Sequence, residues 1–131
     1  MVKKVIIASI AVFVAWMVLD AIIHQVILGS AYRATADLWR PMAEMKNVLM
    51  VIVVLISAIV FVYIYAEFVA KKSMNTAIKY GIIFGIGVGI SMGYGTYAVM
   101  DIPYFMALTW FLGTVVETTL GGMLLGIIVK E

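Results

Sequence analysis

Four long apolar runs alternate with three short polar breaks along this chain. The runs cover about Val5–Leu28, Val48–Val69, Ile78–Val99 and Phe105–Val129, and a helix needs roughly 20 mainly apolar residues to cross a bilayer. The breaks carry the expected punctuation: a polar stretch at 29–47 with Pro41, the basic turn KKSMNT at 71–76, and MDIPYF at 100–105 with Pro103. Proline and clustered polar residues stop helices because they remove or compete for backbone hydrogen bonds. The pattern predicts an all-α protein: a single transmembrane domain over residues 1–131, folded as an up-down four-helix bundle.

Charge sets the expected orientation. Lys3, Lys4, Lys71, Lys72, Lys79 and Lys130 fall at one end of the bundle, while Arg33, Arg40 and Lys46 fall at the other. Short loops rich in Lys and Arg stay on the cytoplasmic side, so both termini are expected in the cytoplasm and the protein in a prokaryotic inner membrane. The first span is expected to remain uncleaved, because a signal peptide's apolar core runs only about 7–15 residues.

Composition agrees with a membrane protein. Hydrophobic residues make up 66% of the 131 and charged residues 12%, with a mean hydropathy of +1.17. A soluble domain of this size could not bury so much apolar surface. The nine basic residues barely outnumber the seven acidic ones and form no cluster, so no nucleic-acid partner is expected. The chain has no cysteine, which removes disulfides, thiolate metal sites and thiol nucleophiles.

The loop at 29–47 reads as an amphipathic interfacial segment. Tyr32, Leu38, Trp39, Met42 and Met45 are expected against the headgroups, with Arg33, Arg40, Glu44 and Lys46 toward water. Aromatic and arginine side chains settle at that boundary. The leading reading is a half-helix that caps the bundle; a substrate-gripping lid is the alternative.

Spans three and four predict their own packing. Gly81, Gly85, Gly89 and Gly93 recur every fourth residue and make one glycine rail, with Gly87 and Gly95 beside it. The last span has a rail of its own at Thr109, Gly113, Glu117 and Gly121, and Gly122 and Gly126 form a further small pair. Missing side chains let membrane helices approach closely, and the short turn between these spans makes them antiparallel neighbours. The rails are expected to pack on each other. Span two has no glycine from 48 to 65 and is expected to face lipid over much of its surface.

Three ionisable residues lie deep in the spans. Asp20 is about 13 Å below the outer end of its helix, His24 about 7 Å and Glu117 about 15 Å, at 1.5 Å rise per residue. Such groups are costly in a bilayer and turn toward partners. A structural network is the first expectation, drawing on Ser91, Tyr94, Thr96, Tyr97, Thr114 or Thr118. A proton or cation site open to the outside is the second. No metal ligation and no cofactor are expected, since the ligand spacing is thin and one histidine per chain allows only single haem ligation. No GxSxG, HExxH or P-loop occurs, and no enzyme activity is expected.

Several segments together resemble the widespread uncharacterised small four-helix membrane proteins of bacteria. They are AWMVLDAIIHQ in span one, LWRP in the first connection, FVYIYA closing span two, KYGIIFGIGVGISMG in span three and WFLGTVVETTLGGMLLG in span four. The resemblance implies an integral membrane protein and no activity. The expected function is a small non-enzymatic membrane protein, a homo-oligomer or an accessory subunit bound to another membrane protein. The alternative is a proton- or ion-coupled permease or channel using Asp20, His24 and Glu117.

Overall fold

The structure, a computed structural model, describes residues 1–131 and is helical, with no strand. Four helices are long and apolar enough to cross a membrane: α1 (Val2–Ile27), α3 (Asn47–Phe68), α4 (Met74–Val99) and α5 (Tyr104–Ile128). A short helix, α2 (Gly29–Ala34), follows α1 and leads into single turns at Ala36–Leu38 and Met42–Glu44.

Local chemistry sets the ends. Ser73 caps α4: its side chain accepts the Thr76 backbone N–H at 3.1 Å. Pro103 is the N-cap of α5, and a residue before proline avoids the helical region, which breaks the chain between α4 and α5. The four helices alternate in direction, so both termini lie at one end, where Lys4 Nζ donates to the Lys130 carbonyl at 2.7 Å.

The helices stand in an open row, α3–α1–α5–α4. α1 packs on both α3 and α5, and α4 packs along α5. α3 and α4 meet only through side chains near the loop that joins them. There the Tyr80 hydroxyl donates to the Phe61 carbonyl at 2.6 Å, and Phe61, Tyr65, Tyr80 and Phe84 pack as aromatic pairs. The main core fills the half of the bundle at the two termini, the inner half, and is built from Ala8, Val12 and Trp16 of α1, Ala58, Phe61, Val62 and Tyr65 of α3, Ala77 of α4 and Leu125 and Val129 of α5. A second, smaller core at the opposite end joins Ile23, Leu28, Ile102, Met106 and Ala107.

The glycine rail of α4 is buried along its whole length against α5. A methyl group added at Gly81 would strike the Thr118 carbonyl, and one at Gly85 the Thr118 hydroxyl. At Gly93 it would come within 2.6 Å of the Ala107 carbonyl. The matching face of α5 differs from the expected one. It is Ala107, Phe111, Thr114, Thr118 and Gly122, with Gly126 against Met74. Gly113 and Gly121 instead face the other neighbours: Gly113 meets Ile23 of α1, and Gly121 meets Phe61 of α3 and Trp16 of α1. Successive residues on a helix are about 100° apart, so an interior helix of the row needs two small faces, one for each side. Gly87 has nothing within 4 Å and Gly95 almost nothing, so both lie off the interface.

Two features have no counterpart in the sequence pattern. α1 ends in a π-helical segment, Ile22–Ile27, and α4 contains another, Ser91–Gly95. Every residue of α3 from Asn47 to Val53 is exposed, about two turns and therefore every direction around the helix. α3 joins the bundle only from Val54 inward.

Overpacking a close helix contact destabilises by about 1–3 kcal/mol. Gly81→Val should lower unfolding stability in detergent by at least that amount, whereas Gly87→Val should change it by less than about 0.5 kcal/mol. Denaturant titration of both variants checks this; equal losses would mean that α4 does not approach α5 as described.

Candidate functional site: a polar seam between the first and last spans

The seam grows out of the packing of α1 and α5. Ala8, Val12 and Trp16 recur every four residues on α1 and are buried in the core, and Asp20 continues that stripe. On α5, Glu117 shares a face with Gly113 and Gly121, the face turned to α1. Trp16 ties the two helices together by donating its indole N–H to the Glu117 carbonyl at 2.7 Å. The Asp20 and Glu117 carboxyls interact with each other, as their similar depth allows. Glu117 Oε1 is buried and has no hydrogen-bond partner.

From Asp20 the seam runs outward. His24 Nε2 lies 3.9 Å from Asp20 Oδ1, beyond direct hydrogen-bond range. His24 Nδ1 is 2.6 Å from the Tyr32 hydroxyl, and the two rings are stacked. The Tyr32 oxygen also accepts the Trp110 indole N–H at 2.8 Å. An indole N–H only donates, and a single hydrogen, the phenol's or the imidazole's, joins Tyr32 to His24 Nδ1. Trp39 closes the group, edge-on to both Tyr32 and Trp110, with its indole N–H donated to Thr35 Oγ1 at 2.9 Å. Burial pushes the Tyr32 phenol up from its ordinary value; the Trp110 hydrogen bond opposes this and the Asp20 charge adds to it.

The ionisable groups thus form a file, not a cluster: no three His, Cys, Asp or Glu side chains converge where a metal ion could sit. The file is partly open at its side, with the Asp20 side chain 30% and the His24 side chain 42% exposed. Inward it ends at the Trp16–Phe61 contact, rings 5.2 Å apart, at the top of the inner core.

The other residues expected to join this network lie elsewhere. Thr114 and Thr118 turn their hydroxyls onto their own helix, donating to the Trp110 and Thr114 carbonyls. The Tyr94 hydroxyl pairs with that of Tyr104 at 2.9 Å, and Ser91, Thr96 and Tyr97 carry no side-chain hydrogen bond to the seam. In the outer segment, Tyr32, Leu38 and Trp39 are half-buried against the second core and Trp110, while Arg33, Arg40, Met42 and Met45 are exposed. Trp16 and Trp110 are the participants that sequence reasoning missed. The available signal was an indole N–H inside an apolar span, a donor that must find an acceptor.

Comparison of the chain with protein-family models, with curated proteins and with solved structures gave no match.

Removing the Tyr32 hydroxyl leaves the Trp110 N–H and His24 Nδ1 without their shared partner, and an orphaned buried donor costs about 1–3 kcal/mol. Tyr32→Phe should destabilise by that order. Trp110→Phe made on top of it should add little beyond its lost contacts. Full additivity in a double-mutant cycle of these two changes would rule out the hydrogen bond.

Proposed function

We propose that this protein is a small non-enzymatic subunit of an inner-membrane assembly, working with a second membrane chain laid against its polar seam. One observation carries the reading: Asp20 and His24, deep in a span, have side chains 30% and 42% exposed. Lipid tails offer such groups no hydrogen bonds, and ionisable residues at membrane depth turn toward protein or water. A covering protein supplies what lipid cannot. The distribution of Lys and Arg supports cytoplasmic termini, which places the seam in the outer half of the bilayer. The half-buried aromatics Tyr32 and Trp39 support an outer segment that caps the bundle at the headgroups.

A second reading, a proton- or ion-coupled permease, is favoured by the continuity of the file from Glu117 through Asp20 and His24 to Tyr32 at the outer end. Against it stands the inner half, where Val12, Ala58, Phe61, Val62, Tyr65 and Leu125 have no exposed surface. A path through one chain has no polar continuation there.

Native mass spectrometry of protein extracted gently from its own membrane should give a mass above that of one chain. Asp20→Asn and Glu117→Gln, rebuilt into vesicles as folded protein, should leave proton and cation flux at the wild-type level. Loss of a measurable wild-type flux in either variant would replace the subunit reading with the permease reading. A monomer without flux would remove both.

A further inference from the structure

The row of helices is closed at one end and open at the other. Near the joining loop, Tyr80 bridges α4 to α3 through the Phe61 carbonyl. Toward the outer end nothing does. α3 is exposed on every residue from Asn47 to Val53, and α4 buries only Gly85, Gly89 and Gly93, all against α5. At 1.5 Å per residue, Asn47–Val53 spans about the outer 10 Å of its helix, the level of His24 and the approach to Asp20. Between α3 and α4 the outer half therefore has a lateral gap, level with His24 and Asp20.

The acids beside that gap have no Lys or Arg at their level of the bundle. Asp20 and Glu117 interact with each other, and the only nitrogen base near either is His24, 3.9 Å from Asp20 and engaged through its other nitrogen by Tyr32. Glu117 Oε1 is buried with no partner. All nine Lys and Arg residues sit at helix ends or in loops: Lys3, Lys4, Lys71, Lys72, Lys79 and Lys130 at one end, Arg33, Arg40 and Lys46 at the other. A second copy inserted in the same direction brings the same acids and no Lys or Arg to that depth. Homo-oligomerisation would set carboxyl against carboxyl.

Resting on the reading that another membrane chain covers the seam, we infer that the gap between α3 and α4 receives one transmembrane helix of a different polypeptide. That helix carries an arginine or lysine facing Asp20 and Glu117. In a medium without water, a cation held between two acids satisfies all three groups, and the pairing selects one partner helix against uncharged ones.

The test uses the full chain, fluorescently labelled, in phosphatidylcholine–phosphatidylglycerol vesicles. The probes are two synthetic leucine–alanine transmembrane helices carrying an acceptor dye. Both have lysines at the inner end to set their direction. One has a single arginine about eight residues from its outer end, about 12 Å deep, and the other has leucine there. Energy transfer should report association of the arginine helix about tenfold tighter than the leucine helix. The preference should vanish in the Asp20→Asn/Glu117→Gln double variant, or in Glu117→Gln alone if the double variant does not fold. Equal association of the two probes, or an arginine preference that survives neutralisation of the acids, overturns the inference. So does a native partner with no basic residue in its span, an outcome that leaves the subunit reading standing.

Discussion

The approach of the α4 backbone to that of α5 is the constraint from which the rest of the structure follows. At Gly81 and Gly85 the two helices are so close that not even a methyl group fits between them and Thr118. That contact fixes the rotation of α5 about its own axis. With Thr118 turned to α4, the preceding residue lies about 100° around the helix, so Glu117 faces α1, where Asp20 continues the buried stripe of Ala8, Val12 and Trp16. The polar seam is thus a consequence of small-residue packing on the neighbouring face of the same helix.

The second consequence is the shape of the bundle. α5 uses one small face for α4 and the other, Gly113 and Gly121, for α1 and for Phe61 of α3. A helix with neighbours on two sides makes a row, and the row closes only where aromatic side chains are long enough to bridge it. Tyr80 does so at the inner end, and no comparable side chain does at the outer end. The dry, filled half and the half holding the ionisable groups are therefore set apart by where the large aromatics occur along the chain.

At the outer end, the polar groups are organised by one phenol. Tyr32 receives the Trp110 N–H and faces His24 Nδ1, linking the cap to α1 and α5 at once. His24 lies in the π-helical end of α1. Such segments are rare and are found often at functional sites. The added residue per turn shifts the side chains beyond Ala21 around the helix axis, away from the positions that regular spacing gives.

The number, length and alternation of the long helices were readable directly, because each has the length and apolar composition that crossing a bilayer would need. The α4 glycine rail was equally legible, since four glycines in register have few other uses. The levels of Asp20, His24 and Glu117 along their helices followed from counting residues. Their azimuths did not: a change of one position along α5 separates Glu117 from Thr118 and one neighbouring helix from the other. The hydroxyls of Thr114 and Thr118 looked like network partners in sequence but bond their own helix, because a threonine in a helix can always reach the carbonyl four residues back. The outer aromatics read as headgroup contacts, while Tyr32 and Trp39 pack inward on Trp110. By itself, then, the sequence determined which segments are helices, at what level along its helix each polar group lies and which helix can be approached closely, all of which depend on spacing along one chain. The tertiary structure alone decided which residues meet across the helices and where the row stays open, because those depend on helix rotation, which only packing against neighbours sets.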